Sequence, residues 1–396
     1  MTRASGSEPS ATDVGHFAFS SLIEPLGVEE FGRDVMGRRQ WFGTGSPDRF
    51  THLLSWRSLN ELIRYRRPPA PRFRLVKSGR AVPESAYHRT VHTLRGPLRM
   101  LDTARLLVEI RDGATMVWDA IDQAHAPVHA VKQGIERALR AFSFVNMYAS
   151  WGDVGGFPEH WDDHDVFVVQ LLGRKHWQVQ QPTRKWPMPE DFSEPPTEYA
   201  HEWTLTPGSV LYLPRGWWHK VTPLNEPSLH LTIGVLRPTN ADFMTWLVQQ
   251  ATACDLMRQD IPVLDDDQAR AQHAAALRSV MDQWLGPSAL ELFDATQSKT
   301  HYLDPRPTLQ AIDHIGPETW EADSKVVLLS TRAEIRRSDG GVALVVAGDE
   351  WWAPAEAEPC LRKLVEGRPI DADAFRGHAT SSLVSELVAS GVAAVI

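Results

Sequence analysis

The stretch PEHWDDHDVFVVQLL, residues 158–172, crowds acids and two histidines around one tryptophan, then passes without a break into an apolar run. The second half has the length and the β-branched, aromatic composition of a buried strand. In an extended chain, residues two apart share a face, so His160 and Asp162 direct an imidazole and a carboxylate to one point while Trp161 faces away. A solvated acidic turn is the competing reading. It is the better one for this stretch taken alone, since a single His-x-Asp spacing is expected by chance in a chain with 16 histidines.

A second segment changes the balance. In SVLYLPRGWWHKV, residues 209–221, a strand runs into the turn Pro214-Arg215-Gly216 and then delivers His219. Two imidazoles and one carboxylate form the facial set that leaves coordination positions open on iron(II), enough for a chelating cosubstrate and dioxygen together. His219 by itself is more often a strand-end histidine with a local partner; its arrival after this turn reverses that preference. Beside the first segment lies LLGRKHW, residues 171–177, where Gly173 marks a tight turn and Lys175 opens the next strand with its ammonium directed inward. A buried lysine needs an anionic partner. The alternative is that Lys175 belongs to a solvated basic face with Arg174 and Lys185, and the residues alone leave the two readings level.

Working outward, residues 142 to 232 read as short apolar or alternating runs separated by Gly, Pro and Asp: FSFVNMYA, VFVVQLL, HWQVQQ, EWTLTPGSVLYLP and SLHLTIGV. That spacing predicts a β sandwich or barrel. Residues 17 to about 133 mix helical segments such as SLNELIRY and TARLLVEIRD with short strands, and residues 1–16 read as a mobile polar tail. After Arg237 apolar residues recur at three and four spacing, which predicts packed helices. From Thr308 a strand, a hairpin around DGG and two helix candidates ending in SSLVSELVASGVAAVI suggest a winged helix. The fold class is α+β, with boundaries at 1–16, 17–240, 241–307 and 308–396.

Bulk properties exclude several functions. The 396 residues carry a net charge of -9, which argues against a nucleic-acid surface spread over the whole molecule. Two cysteines, Cys254 and Cys360, are too few for a disulfide scaffold or a cysteine metal cluster and point to a reducing compartment. The first residues lack the apolar core of a secretory signal, and no run approaches a membrane span, so a cytoplasmic protein is expected. The 15 tryptophans are unusual; core filling is their default use.

FVNMYASWGDVGGFPEHWDDHDVFVVQLLGRKHWQV, then TLTPGSVLYLPRGWWHKV, then SLHLTIGV, taken in that order, resemble the cupin-fold, Jumonji-C type 2-oxoglutarate oxygenases of the ribosomal oxygenase group. The upstream stretch FGRDVMGRRQWFGTGSPDRFTHLLSWRSLNELI is similar to that family's N-terminal segment. The resemblance implies a double-stranded β-helix core, a helical dimerisation region over 241–307 and a winged-helix-like domain over 308–396. It implies iron(II) held by His160, Asp162 and His219, with 2-oxoglutarate and dioxygen as cosubstrates and Lys175 as the anchor for the distal carboxylate of 2-oxoglutarate. Asn146, Tyr148 and Thr232 fall on strands that border the cosubstrate pocket in the family, although each is also an ordinary strand residue. Asp165 continues the family's pattern and is expected to hold the ligand loop; His164 is a poor ligand by face, and His176 should pack beside Trp177.

The activity so implied is hydroxylation of an arginine or histidine side chain, at the β-carbon, in a protein substrate such as a ribosomal protein. An acidic enzyme suits a basic protein substrate through long-range attraction. Asp153, Trp151, Trp217 and Trp218 are candidates to line the mouth, a carboxylate and flat rings being able to hold a guanidinium or imidazole; loop and packing duty is the simpler role for each. Two other functions fit the motifs: a tailoring hydroxylase of a ribosomally made peptide or small natural product, and a cupin-sensor DNA-binding regulator. The last is disfavoured, because residues 318–396 hold 13 Asp or Glu against 8 Lys or Arg, a surface that repels phosphate.

Overall fold

The computed structural model describes residues 17–300 and 324–395, apart from 67, 69, 264–265, 339 and 376–380. The tail expected at 1–16 and the boundary placed at 307/308 lie outside the described residues. Two compact units divide the chain after Leu236.

The strands of the first unit are β1 (Trp41–Gly43), β2 (Phe73–Lys77), β3 (Arg80–Ala81), β4 (His88–Thr93), β5 (Gly96–Leu101), β6 (Thr115–Trp118) and β7 (Phe142–Ser150). They continue with β8 (Asp165–Leu172), β9 (Lys175–Gln180), β10 (His201–Leu205), β11 (Val210–Leu213), β12 (Trp218–Pro223) and β13 (Ser228–Leu236). An eight-stranded antiparallel sheet runs in the order β1-β11-β8-β13-β7-β6-β2-β3, and a three-stranded sheet runs β10-β9-β12. Strands β4 and β5 pair only with each other.

Strand β8 shows why the decisive stretch reads as an unbroken apolar run. Phe167, Val169 and Leu171 enter the main core, where Phe167 meets the rings of Phe19, Phe31 and Tyr212. Val166 and Val168 point the other way, into a second apolar cluster with Trp177 and Val179 of β9. A strand buried on both faces has no place for alternation. Its one polar interior residue, Gln170, is used locally: its amide donates to the carbonyls of Leu172 and Gly173 and ties down the turn into β9. That turn has Gly173 at φ +61, and a Cβ there would lie 2.1 Å from the Pro227 carbonyl, so only glycine fits.

The outer face of the large sheet is covered by the N-terminal segments and by the helices Trp56–Arg66, Thr103–Arg111 and Ala126–Leu139, which contribute Leu59, Leu106, Val128 and Ile135 to the core. The inner face looks across at the three-stranded sheet. In β9 the burial alternates, Lys175, Trp177 and Val179 inward and His176, Gln178 and Gln180 outward. His176 therefore does not pack beside Trp177; its Nε2 lies 3.5 Å from Glu202 on the outer side of the sheet.

In the second unit, the helix Asn240–Ala251 begins with a capping box between Thr239 and Asp242 and packs Phe243 and Trp246 against Phe293 of the helix Pro287–Thr300. The intervening helix Asp267–Trp284 buries none of its residues. Beyond residue 323 lie β14 (Lys325–Leu328), β15 (Glu334–Ser338), β16 (Gly341–Val346), β17 (Asp349–Ala353), β18 (Ile370–Asp371) and β19 (Ala393–Val395). They form the sheets β18-β14-β19 and β15-β16-β17, packed with the helices Glu358–Val365 and Ser381–Ala389 around Leu344, Leu361, Phe375 and Leu387. The C-terminal run is not one helix to its end. Gly391 at φ +73 stops it, and the residues after it pair with β14. No helix among the described residues is long and apolar enough to cross a membrane.

Candidate active site

His160 precedes β8 and His219 lies in β12, yet they are partners in an isolated antiparallel bridge: His160 N–H donates to the His219 carbonyl at 3.1 Å and His219 N–H to the His160 carbonyl at 2.8 Å. Residues paired in this way project their side chains to the same side. Asp162 is tied to the same turn, its carbonyl accepting from Gly216 N–H at 2.9 Å. One ligand atom from each of His160, Asp162 and His219 lies within 4.8 Å of the others.

Both rings are held in the same tautomer. Nδ1 of His160 donates to the Pro158 carbonyl at 2.9 Å and Nδ1 of His219 to the Trp217 carbonyl at 3.1 Å. Each therefore presents an Nε2 lone pair, and these nitrogens stand 4.0 and 3.7 Å from the Asp162 carboxylate oxygens. Burial, and after it the neighbouring His160, hold the His219 imidazole down to about 4, so it is neutral at physiological pH. Asp165, the first residue of β8, accepts from Arg215 N–H at 2.9 Å and from the Tyr212 hydroxyl at 3.0 Å. It fixes the turn that carries His219, as its place in the sequence pattern suggested.

The three groups open into a cavity of about 320 Å³ between the two sheets. Strand β7 gives it Phe144, Asn146, Tyr148 and Ser150, the alternate set to its core residues Val145, Met147 and Ala149. Strand β13 gives His230 and Thr232, and β9 gives Lys175 and Trp177. Asn146 Oδ1 accepts from Ala120 N–H at 3.0 Å, and its side chain also bonds Tyr148. Lys175 is 2% exposed, and burial pushes its ammonium down to about 7. Among the described residues no carboxylate pairs with it.

The four residues assigned to the mouth do not form this wall. Trp217 is buried in the apolar cluster between the sheets and Trp218 donates Nε1–H to Thr183 at 3.1 Å, both packed rather than presented. Trp151 lies against Trp56, with ring centroids 5.3 Å apart, and Asp153 is exposed on the loop before His160. Conversely, His164 lines the cavity edge-on to Phe144, with Nδ1 bonded to Asp163. His230 was overlooked, although the period of two in SLHLTIGV puts it on the face of Thr232.

Residues 122–243 match the JmjC domain family. The chain carries a JmjC domain. That domain spans both ligand segments, Lys175 and all of β13. Over 270 residues the chain is 25% identical to the bifunctional lysine-specific demethylase and histidyl-hydroxylase NO66 of Drosophila persimilis, covering 64% of this chain and 34% of that protein. A shorter match, to ribosomal oxygenase 2 of Bos taurus, is 38% identical over 106 residues and covers 25% of this chain and 22% of the relative. The matched stretches thus span about a third or less of these relatives. Among solved structures, E. coli ycfD has a TM-score of 0.61 at 19% identity, covering 94% of this chain and 98% of that one. YcfD, a ribosomal oxygenase from Escherichia coli in complex with cobalt and 2-oxoglutarate, has a TM-score of 0.55 at 18% identity with the same coverage. Over the matched residues the chain is thus similar to the ribosomal oxygenases, as its motifs suggested, and it has the cupin-type fold of the E. coli structures.

Proposed function

We propose that this JmjC protein is an iron(II)- and 2-oxoglutarate-dependent oxygenase that hydroxylates an arginine or histidine side chain of a protein substrate, a ribosomal protein in particular. The observation that carries the reading is a single cavity holding two free Nε2 lone pairs, one carboxylate and a buried lysine without an anion. The donor set suits iron(II), and Lys175 suits the distal carboxylate of a dicarboxylic cosubstrate. His160, Asp162 and His219 would hold the metal, and Lys175 would anchor 2-oxoglutarate, with Asn146, Tyr148 and Thr232 bordering it. When bound, the metal and cosubstrate supply dioxygen activation, one oxygen atom going to succinate as carbon dioxide leaves and the other to a C–H bond.

The chain's own contributions are orientation and exclusion of water. The carbonyls of Pro158 and Trp217 fix the ligand rings, and Asp165 fixes the turn between them. Exposure falls along the cavity: the side chains of His160 and Asp162 are 40% and 27% exposed, that of His219 only 6%. A substrate side chain thus reaches the metal from the side of the 158–164 segment, while the lysine end is sealed. Asp153, on the exposed loop before that segment, would meet a cationic side chain outside the cavity wall. A homodimer through residues 241–307, a winged-helix role for 308–396 and a cytoplasmic location belong to the same proposal.

The test is mass spectrometry of ribosomal proteins from cells with and without the gene, looking for a single-oxygen mass increase, joined to succinate release by the purified enzyme. Succinate formation without any ribosomal change would move the substrate to a tailored peptide or small molecule. No binding of iron or 2-oxoglutarate by the purified protein would overturn the oxygenase reading itself.

A further inference from the structure

Lys175, Tyr148 and His230 come from three strands, β9, β7 and β13, and meet at the sealed end of the cavity. Lys175 Nζ donates to the Tyr148 carbonyl at 3.3 Å and lies 3.0 Å from Nδ1 of His230. An ammonium has three N–H groups and no lone pair. When Lys175 carries its third proton, Nδ1 therefore accepts, which makes His230 the neutral tautomer with its proton on Nε2 and leaves one lysine N–H over.

The His230 ring is itself immobilised. It stacks on Tyr148 with centroids 5.0 Å apart and planes at 10°, and it meets Trp177 edge-on at 5.6 Å. Its backbone lies between Tyr148 of β7 and Gln170 of β8. A lysine head on its flexible stem has no direction of its own. Two rigid acceptors give it one.

We propose that His230 is a positioning residue for the cosubstrate anchor: accepting from Lys175 at Nδ1, it aims the remaining N–H at the distal carboxylate of 2-oxoglutarate. This rests on the oxygenase reading above. A merely space-filling His230 would act through its ring alone, and substitution separates the two roles. His230→Asn and His230→Leu have nearly the same shape, and only the first keeps an acceptor near the position of Nδ1. His230→Phe keeps the flat ring on Tyr148 and removes the acceptor.

The experiment is anaerobic calorimetric titration of 2-oxoglutarate into Co(II)-loaded protein, with Co(II) affinity and melting temperature measured on each variant. His230→Leu and His230→Phe should weaken 2-oxoglutarate binding by roughly tenfold or more, the loss of one charge-assisted hydrogen bond. His230→Asn should recover most of it, and Co(II) affinity should be unchanged throughout. In turnover the effect should fall on the KM for 2-oxoglutarate with kcat within about twofold. Wild-type affinity in the Leu or Phe variant, or equal weakening in Leu and Asn, overturns the inference and leaves the oxygenase reading standing. Failure of the Co(II)-loaded wild type to bind 2-oxoglutarate overturns both. Should the Phe variant not fold, the Asn and Leu pair decides alone.

Discussion

His160 and His219, 59 residues apart in the chain, exchange both backbone hydrogen bonds and bring their ring centroids to 4.3 Å. The metal centre is thus built on a strand pairing rather than on side-chain packing.

Replacing either ring by alanine should leave that backbone pairing and remove one donor. His160→Ala and His219→Ala should each lose more Co(II) affinity than the roughly 10–100-fold that follows loss of a supporting partner. Succinate release should fall to background. Anaerobic metal titration checks this, and wild-type affinity in either variant would exclude that histidine as a ligand.

Asp165 touches neither cavity nor metal, yet it holds Arg215 N–H and the Tyr212 hydroxyl. Asp165→Ala should cost about 1–3 kcal/mol of stability, because it strands buried donors. It should also lower metal affinity by roughly 10–100-fold as the His219 turn loosens. Thermal melts and metal titration measure the two effects separately; unchanged metal affinity would mean that the turn is held by other contacts.

Lys175 gives a pH signature. Its ammonium is lowered from 10.5 to about 7 by burial, so between those values the unfolded chain carries the extra proton, and the ligand-free protein gains stability from this group as pH rises through that window. As pH falls toward 7 this contribution is lost. Lys175→Met should abolish the slope, raise the neutral-pH stability of the ligand-free protein by about 1 kcal/mol or more, and destroy 2-oxoglutarate binding. In the wild type, binding should take up close to one proton at about pH 8.5 and almost none at about pH 6, read by calorimetry in buffers of different ionisation enthalpy. No proton uptake at the higher pH would show that the ammonium is already charged.

Gly173→Ala tests the link between fold and anchor. The positive φ and the clash with the Pro227 carbonyl should cost about 1–3 kcal/mol at least. The start of β9 should shift with it, so 2-oxoglutarate affinity should drop more than Co(II) affinity. Equal losses would point to general unfolding.

The local chemistry of the site was legible in the linear chain because strands have a fixed period. Gly173 before Lys175 and a turn just ahead of His219 follow from turn geometry, whereas His160 and Asp162 lie ahead of β8 and not within a strand, so the pleat alone does not bring them together. The strands of the core and their apolar faces were equally plain. Long-range pairing was not, because nothing in SLHLTIGV or VNMY records which strand will lie beside which. His230 could have been found by the same period of two, but its value comes from Lys175 arriving opposite, on another sheet. Trp217 and Trp218 could be read either way, because a composition rich in aromatics says nothing about which way a strand edge faces; the structure packs both, the simpler of the two roles.

The sequence by itself determined the donor types on offer and the β character of the core, since these depend on neighbours one to four residues away; it left the direction of Lys175 open between the interior and a solvated basic face, and burial in β9 settled it. Only the tertiary structure decided that His160 bridges His219, that Asp165 bolts their turn and that Lys175 finds a histidine instead of a carboxylate. Those contacts join segments tens of residues apart, and the burial of both faces of the large sheet is what selects them.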